Sequence, residues 1–380
     1  MKQLSGNIGE WSEIYVFLRL LATGKLIVAD EELNAIPDVF YKIIAVLRKE
    51  AETTNNYIRE DDKVNIFVKN DKTQEIENFS FPIFEFVSNA NQLLIGLKAA
   101  KKRFPEITDF LAKLKIYSIK DVGHKRDITI KIEDFHNGMP QMLGFSIKSF
   151  LGADSTLFNA GPGTNFIYEV IPPVGMRIDV QRFNSQTYGE YRRLHTRIHS
   201  LRCDYSCEFK FIGTQSDCLF QNLRTIDGDM PDLLSRLLIV RYDLNLSTIR
   251  KATEYLTRLN PYNFDIKRHG DVYEYKIKRF LQDCAMGMTP ETPWTGIYDA
   301  TGGQIVVKET GEVVCYHIYE INRFLDYLFD STKFEAPATS EDEFNPGHPR
   351  RDAAKRFFYG WLYEQDNHYY IKLNLQVRFK

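Results

Sequence analysis

The dipeptide Asn137-Gly138 constrains the fold of this 380-residue chain more than any other short stretch. It separates two runs in which apolar residues alternate, Asp127–Ile132 and Leu143–Phe150. Asn-Gly between such runs predicts a tight β-hairpin, because both residues tolerate the left-handed backbone of two-residue turns. Side chains alternate across a strand, so one face of the hairpin should enter the core. That face carries Ile128, Ile130, Ile132, Leu143, Phe145 and Ile147.

The opposite face of the predicted hairpin is polar. With the turn at residues 137 and 138, Asp127 lies opposite Lys148 and Thr129 lies opposite Ser146, with Cβ atoms about 5 Å apart. One interpretation is a cross-strand salt bridge on a solvated face, which is common and contributes little. The other is a catalytic pair. A carboxylate at Asp127 and the Ile147 carbonyl could hold a divalent metal, and the Lys148 ammonium could orient a water for phosphodiester hydrolysis.

The remaining patterns mix helices with strands, which predicts an α/β or α+β protein with a mixed sheet flanked by helices. Predicted helices cover Glu10–Ala22, Asp38–Thr53, Phe84–Lys101, 188–203, most of Asp229–Met286, and a segment that ends near Phe329. Further strands are predicted at 207–214, in a hairpin around Thr310-Gly311, and in two aromatic-rich stretches at 357–364 and 369–379. A weak boundary would divide the chain into residues 1–215 and 216–380.

Composition excludes several classes of protein. The chain has 49 basic and 51 acidic residues and a net charge of −2, so its overall charge predicts no polyanionic partner. No apolar run approaches the roughly 18 residues that span a bilayer, and the first ten residues lack the layout of an export signal. Five cysteines in a chain of this length do not form a disulfide framework. We therefore expect a soluble cytoplasmic protein.

Asp127, the hairpin and the Ser-Ile-Lys sequence at 146–148 resemble the Asp…(Glu/Ser)-x-Lys signature of the restriction-endonuclease-like nucleases. More specifically, four separated parts of the chain resemble the HpaII-type restriction endonucleases. They are 6–26, 125–132, 143–170, and the end of the chain, with 319–329, 332–340 and 369–379. The resemblance implies a restriction-endonuclease-like core and Mg²⁺-dependent type II cleavage of both DNA strands at a short palindromic, CCGG-like site.

The resemblance also implies roles for the hairpin residues. Asp127 would bind Mg²⁺ and Lys148 would serve the nucleophile, while Ser146 stands where the commoner signature has a second carboxylate. Serine is a poor Mg²⁺ ligand, so another carboxylate must complete the site. Glu10 is the first choice, because it opens the N-terminal helix, and Glu13 and Glu169 are the alternatives. Glu10 could instead simply favour the helix N-terminus.

DNA contacts are predicted on two segments. The basic helix carries Arg192, Arg193 and Arg197, although a solvated helix face would explain the same pattern. The glycine-rich stretch after the Lys148 strand should reach the DNA, unless it only connects two strands. The candidates in and beside that stretch are Ser149, Thr156, Asn159, Thr164 and Asn165.

The expected partner is double-stranded DNA, bound by a homodimer because a palindromic site favours two-fold symmetry, although a monomer remains open. A DNA methyltransferase should belong to the same system without binding this protein. Two alternatives come from other classes. One is a DNA-binding protein on the same fold that does not cut, and the other is an interaction protein whose basic helix binds an acidic partner.

Overall fold

The computed structural model describes residues 4–122, 126–134, 138–152, 155–186, 193–337 and 359–380. The chain forms two compact units that are not consecutive in sequence. The first unit contains Met1–Ser155, Ala285–Gly287 and Tyr298–Tyr327. The second unit contains Thr156–Cys284, Met288–Ile297 and Leu328–Lys380. Neither unit ends near residue 215, since the second unit runs through Thr156–Cys284 and the hairpin after residue 300 pairs with strands of the first unit.

The described residues form helices and strands throughout both units. The helices are α1 Ile8–Thr23, α2 Ile83–Lys98, α3 Pro105–Lys113, α4 Val180–Gln186, α5 Arg193–Cys203, α6 Asp217–Ile226, α7 Met230–Asp243, α8 Ile249–Leu259, α9 Ile266–His269, α10 Val272–Met286 and α11 Ile321–Ser331. The strands of the first unit are β1 Lys25–Ala29, β2 Ala35–Lys49, β3 Thr53–Arg59, β4 Lys63–Asn70, β5 Ile76–Pro82, β6 Ile128–Glu133, β7 Pro140–Ser149, β11 Gly303–Val307 and β12 Val313–His317. Those of the second unit are β8 Thr156–Phe158, β9 Asn165–Ile171, β10 Glu208–Thr214, β13 Thr332–Phe334, β14 Leu362–Gln365, β15 His368–Asn374 and β16 Val377–Phe379.

The first unit is built on a nine-stranded mixed sheet in the order β1-β12-β11-β7-β6-β2-β3-β4-β5. The β1–β12 and β7–β11 pairs are parallel, and the other neighbours are antiparallel. The predicted mixed α+β class is confirmed. The β6–β7 hairpin lies in the middle of the sheet, where strands on both sides fix its position.

Helix α1 packs its apolar side into the core of the first unit. Trp11, Ile14, Leu18 and Leu21, the residues whose spacing predicted this helix, are fully buried. The helix ends at Gly24, which takes the left-handed conformation that favours glycine (φ 70°). The predicted helix is confirmed, and it begins two residues earlier, at Ile8, and ends one residue later, at Thr23.

The predicted helix at Asp38–Thr53 is wrong, because most of this segment is strand β2. Tyr41 and Ile43 are buried in alternation, and an irregularity in the pairing with β6 between Ile43 and Ala45 puts Val46 in the core as well. The apolar residues of β2 recur every second position, and the irregularity after Ile43 adds one longer interval. Together these intervals resemble the three- and four-residue spacing of a helix. Pairing with β3 on one side and β6 on the other decides for the strand.

The second unit contains a four-stranded sheet, β10-β9-β15-β14, and a three-stranded sheet, β13-β16-β8. The predicted strand at 207–214 is confirmed as β10, and the predicted helical stretch after residue 229 is confirmed as α7 to α10. The predicted basic helix is described from Arg193 onward as α5, and its residues 188–192 lie outside the described residues. Over the described part of the chain, no helix has the length and apolarity to cross a membrane.

Candidate active site

The β6–β7 hairpin has a register two residues away from the predicted one. Ile128 pairs with Phe145 and Thr129 with Gly144, so Thr129 does not face Ser146. The strands stop at Glu133 and Pro140, which leaves a connection longer than a two-residue turn. A shift by two residues keeps every side chain on its face, and the predicted apolar face is indeed packed in the core.

Asp127 lies just before β6, against the backbone of β7. Its N–H donates to the Phe145 carbonyl (3.0 Å), and its Oδ2 accepts from the Ile147 N–H (2.6 Å). Burial raises the pKa of the Asp127 carboxyl, while the Ile147 hydrogen bond and the Lys148 and Lys120 charges oppose this rise. The carboxylate therefore binds the peptide between Ser146 and Ile147.

Lys148 is the cation of this site. It is partly buried near the end of β7, and burial lowers its pKa. The negative charges of Asp127 and Glu13 act in the opposite direction, in that order. Asp127 and Lys148 thus lie within electrostatic reach of each other, as expected, although the register that brings them together is different.

Glu13 is the carboxylate that α1 contributes. Burial and then repulsion from Asp127 raise its pKa to about 8, while Lys120 and Arg48 act against the rise. Glu13 and Asp127 line one small cleft, together with Arg48 and Asp121. Two carboxylates that share a confined site cannot both be ionised without a nearby cation.

Helix α1 is held beside β7 by contacts around residues 149 to 152. The Ser12 hydroxyl donates to the Ser149 hydroxyl (2.8 Å), and both side chains are buried. Gly152 lies so close to Ile8 that an added Cβ would come within 3.1 Å of the Ile8 Cγ2. These contacts bring the turn that carries Glu13 to the end of the hairpin.

Glu10, the first choice from the sequence, is engaged elsewhere. Its Oε2 accepts from the Asn7 N–H and its own N–H donates to the Asn7 side chain, both at 2.9 Å, which forms a capping box. Its Oε1 pairs with the Lys120 ammonium at 3.2 Å. The Asn7 hydrogen bond lowers the pKa of Glu10. The geometry therefore favours Glu13 over Glu10 as the partner of Asp127.

The loop 116–122 forms the rim of the cleft, and a buried ion pair fixes it. Arg48 pairs with Glu50 (2.9 Å), and both side chains are only 6% exposed. Arg48 also donates to the carbonyls of Ser118 (2.5 Å) and Ile119 (2.7 Å). Glu50 accepts from the Tyr117 N–H and the Ser118 hydroxyl. The end of β2 thereby anchors the loop that carries Lys120 and Asp121.

Ser146 has a neighbour that sequence reasoning missed. Gln304 of β11 is fully buried, pairs in register with Ser146 and places its Nε2 3.5 Å from the Ser146 hydroxyl. Among the described residues, its Oε1 has no hydrogen-bond partner. A single glutamine in the apolar run Gly303–Val307 was the available signal, but only the sheet order puts it beside Ser146.

Glu169, the third predicted carboxylate, lies on β9 in the second unit. Its Oε1 contacts His368 Nδ1 (2.7 Å), and its Oε2 pairs with Lys210 (3.7 Å). These partners already engage the carboxylate within the four-stranded sheet. A metal role for Glu169 stays a prediction.

Several predicted DNA contacts are buried. Arg197 is fully buried, stacks on Trp361 at 3.7 Å and donates to the Gly360 carbonyl, so the structure gives it a structural role and does not support the predicted phosphate contact. Thr164 and Asn165 are fully buried and hydrogen bonded to Asn374, which gives them a structural role. Ser149, the fourth buried candidate, is the partner of Ser12 described above.

The other DNA candidates stay predictions. Asn159 is exposed, and Thr156 is partly buried where β8 pairs with β16. Arg193 begins α5, and only its backbone is described. Arg192 lies outside the described residues.

The donor set of the cleft suits a hard divalent cation. Across the described ranges, no three His, Cys, Asp or Glu side chains are grouped as metal ligands. Glu13 and Asp127 nevertheless form a pair of oxygen donors, and burial followed by repulsion from Asp127 raises the pKa of Glu13 to about 8. Such a pair fits Mg²⁺, which takes oxygen ligands, keeps several waters and is commonly held by one or two carboxylates.

Comparison with known proteins places this chain in a family. A model of the HpaII restriction endonuclease family matches residues 7–379. The chain belongs to this family. It is 36% identical over 380 residues to the type II restriction enzyme HpaII of Haemophilus parainfluenzae, covering 99% of this chain and 98% of that enzyme. No solved structure matches the chain.

Family membership decides the class of the protein. A restriction endonuclease hydrolyses phosphodiester bonds of DNA at specific sites, so this chain is a DNA-cleaving enzyme. The interpretation of Asp127 and Lys148 as no more than a surface salt bridge loses its main support, because both side chains are partly buried. A restriction-endonuclease-like core stays a prediction, since no solved structure is available to compare with the nine-stranded sheet.

Proposed function

We propose that the protein is a Mg²⁺-dependent type II restriction endonuclease that cuts both strands of a short palindromic, CCGG-like site. One observation carries the proposal: in a chain of the HpaII family, Asp127 and Glu13 share one cleft and Lys148 lies within electrostatic reach of both. Two carboxylates can hold the divalent metal for phosphodiester hydrolysis, and a partly buried lysine beside them can serve the attacking water.

Each residue of the cleft has a distinct task in this proposal. Asp127 and Glu13 hold Mg²⁺, and the Ile147 carbonyl beside them is a further candidate ligand. Mg²⁺, when bound, polarises the phosphate and makes a bound water more acidic. Burial favours the neutral form of Lys148, which can accept a proton from the attacking water, and its charged form offsets negative charge on the phosphate. Ser146 keeps the strand between them in place and binds no metal directly.

The assembly and cellular setting follow from the proposed reaction. A palindromic site favours a homodimer, although a monomer that cuts each strand in turn fulfils the same task. Asn159, Thr156 and Arg193 remain the proposed DNA contacts of the second unit. The enzyme would work in the cytoplasm, where the DNA is, alongside a DNA methyltransferase that protects the host without binding the enzyme.

The experiment that tests this function is plasmid cleavage with controlled metal. We expect cutting in Mg²⁺, none in EDTA, and DNA binding without cutting in Ca²⁺, because Ca²⁺ is larger and activates water less. The Asp127→Asn variant should bind DNA in Ca²⁺ and fail to cut in Mg²⁺.

Three outcomes separate the proposal from its alternatives. Undiminished cutting in EDTA would exclude the metal mechanism. DNA binding without cutting under any metal would point to a DNA-binding protein on the same fold. Failure to bind DNA at all would leave only an interaction role.

A further inference from the structure

The rim of the cleft carries a cation that the proposed mechanism does not use. Lys120 is exposed on the loop 116–122, with 66% of its side chain accessible. Its ammonium lies 3.2 Å from the Glu10 carboxylate, one helical turn from Glu13. The next residue, Asp121, lines the cleft together with Glu13 and Asp127. Lys120 therefore lies at the mouth of the site, with its ammonium facing solvent.

Hydrogen bonds hold the loop on both sides of Lys120. Arg48 holds the carbonyls of Ser118 and Ile119, and the Ser118 hydroxyl donates to the Lys120 carbonyl (2.8 Å). After Lys120, the Asp121 carboxylate accepts from the Lys49 N–H (2.7 Å), and the Val122 N–H donates to the Lys49 carbonyl (3.0 Å). An exposed lysine on such an anchored loop is placed before any ligand arrives.

The surroundings of Lys120 explain why a cation is needed there. Glu13, Asp121 and Asp127 give the cleft three carboxyl groups, and the phosphate to be cut must approach them. Glu10 takes only one side of the Lys120 ammonium, which has three N–H donors and can bind a second acceptor. The ammonium also acts electrostatically on both Glu13 and Asp127, so it is close to where the phosphate has to lie.

We propose that Lys120 binds a backbone phosphate of the DNA strand that is being cut, and that the Arg48–Glu50 pair positions it through the loop. The proposal rests on the proposed nuclease function. Glu10 orients the Lys120 ammonium through their ion pair, and the phosphate binds the N–H donors that Glu10 does not use. Because phosphate contacts carry no sequence information, Lys120 contributes to binding of any duplex.

Salt dependence of DNA binding is the measurement that isolates this contact. Affinity for a short CCGG duplex is measured in Ca²⁺ at several KCl concentrations for wild type and variants. Lys120→Met should make the log-log slope shallower by about 0.9, the value for one lost phosphate contact. Lys120→Arg should restore the slope. Lys115→Met is the matched control, since Lys115 lies on the same connection but pairs with Glu77, and it should leave the slope unchanged.

Two double variants test the details. Glu10→Gln with Lys120→Met removes one charge of each sign, so a slope that is still shallow shows a direct contact rather than a change in local charge. Arg48→Lys keeps the charge but weakens the grip on the two carbonyls. Arg48→Lys alone should make the salt-dependence slope shallower, and the double variant with Lys120→Met should have the same slope as Lys120→Met alone. Additive changes in slope would assign Arg48 a separate role.

The outcomes for Lys120 and for the nuclease function are distinguishable. A wild-type slope in Lys120→Met, with Asp127→Asn inactive in cleavage, overturns the role of Lys120 alone. Cleavage by Asp127→Asn at the wild-type rate overturns the proposed function itself.

Discussion

At the scale of single residues, burial decides which of the charged groups belong to the site. Glu10 and Glu13 are one turn apart on the same helix, yet Glu10 has its own cap and ion pair while Glu13 faces Asp127. On the basic helix, burial removes a candidate instead of selecting one: Arg197 carries the expected charge but is enclosed by Trp361 and backbone carbonyls. Charge in the sequence therefore indicates candidates, and the environment selects among them.

Lys148 should be required for cleavage and dispensable for binding. Lys148→Ala removes the group that handles the proton of the attacking water, so single-turnover cleavage in Mg²⁺ should fall by about 10²- to 10⁴-fold. DNA binding in Ca²⁺, measured by gel shift, should stay near wild type. Lys148→Arg should rescue little, because a guanidinium remains protonated and has a different shape.

Lys131 on β6 provides the control for Lys148. It is a partly buried lysine of the same hairpin, so Lys131→Ala removes a comparable side chain away from the carboxylates. It should cut within a few-fold of wild type. If Lys148→Ala cut equally well, the assignment of this site would be wrong.

Glu13 should make the metal-free protein less stable as pH rises. The folded protein keeps a proton on Glu13 up to about pH 8, whereas the unfolded chain releases it near 4.5. Stability from this group is therefore fully present below about pH 4.5 and is lost as pH rises to about 8. In EDTA, we expect a loss on the order of 2 kcal/mol over this range, discounted for partial exposure. Urea unfolding at a series of pH values measures it.

Substitutions on α1 check the assignment to Glu13. Glu13→Gln cannot ionise and should flatten this pH dependence, and it should also abolish cleavage. Glu10→Gln should keep the pH slope, because the pKa of Glu10 is lowered rather than raised. Identical behaviour of the two variants would contradict the distinction between them.

At the scale of elements, partners outside each segment decide its structure and its place. The spacing of apolar residues was enough for α1, whose one face is buried. It was not enough for β2, whose irregular alternation imitates a helix until β3 and β6 pair with it. The loop 116–122 has no regular structure, and it is placed by the Arg48–Glu50 pair at the end of β2.

Breaking the Arg48–Glu50 pair should be costly. Arg48→Met leaves Glu50 buried without its cation and removes two bonds to the loop, so the free energy of unfolding should fall by about 3–5 kcal/mol. Adding Glu50→Leu should recover part of the loss, since no unpaired charge then remains. Urea denaturation of the two single variants and the double variant measures the coupling.

An exposed ion pair of the same unit is the control for the Arg48–Glu50 variants. Lys42 and Glu133 pair at 3.5 Å with side chains 68% and 42% exposed. Lys42→Met should change the free energy of unfolding by less than about 1 kcal/mol. An equally small effect at Arg48 would show that the loop does not depend on the buried pair.

At the scale of the whole molecule, the nine-stranded sheet is assembled from two distant parts of the chain. Strands β11 and β12 enter between β7 and β1, about 150 residues after β7 in sequence. The proposed site residues Asp127, Lys148 and Glu13 all precede Ser155, yet the strand that carries Lys148 is flanked by β11. Integrity of the site therefore depends on the later segment.

A fragment that ends at Ser155 should not fold cooperatively. It lacks β11 and β12, so β7 becomes an unprotected edge and apolar residues of the core lose their cover. Joining residues 298–327 to this fragment through a flexible linker should restore a cooperative urea transition. A fragment of residues 1–155 that unfolds cooperatively without that addition would contradict this view of the first unit.

The sequence by itself determined the helix α1, the apolar face of the β6–β7 hairpin, the hairpin near residue 310 and the mixed class of fold. These features depend on local periodicity and turn chemistry, which a short stretch of chain contains in full. It also indicated Asp127 and Lys148, because their spacing relative to a turn is a local property, together with a resemblance to a nuclease signature.

Only the tertiary structure decided the register of that hairpin and the neighbourhood of Ser146 and Gln304, and only its geometry favours Glu13 over Glu10. These depend on which distant segments pack together, and the pKa of Glu13 is raised because the fold buries this carboxyl and places it near Asp127. Arg48, Glu50 and Lys120 meet near the site although more than 65 residues separate the first two from the third. Long-range pairing, rather than any local pattern, brings a buried ion pair to the rim of the cleft and holds a lysine at its mouth.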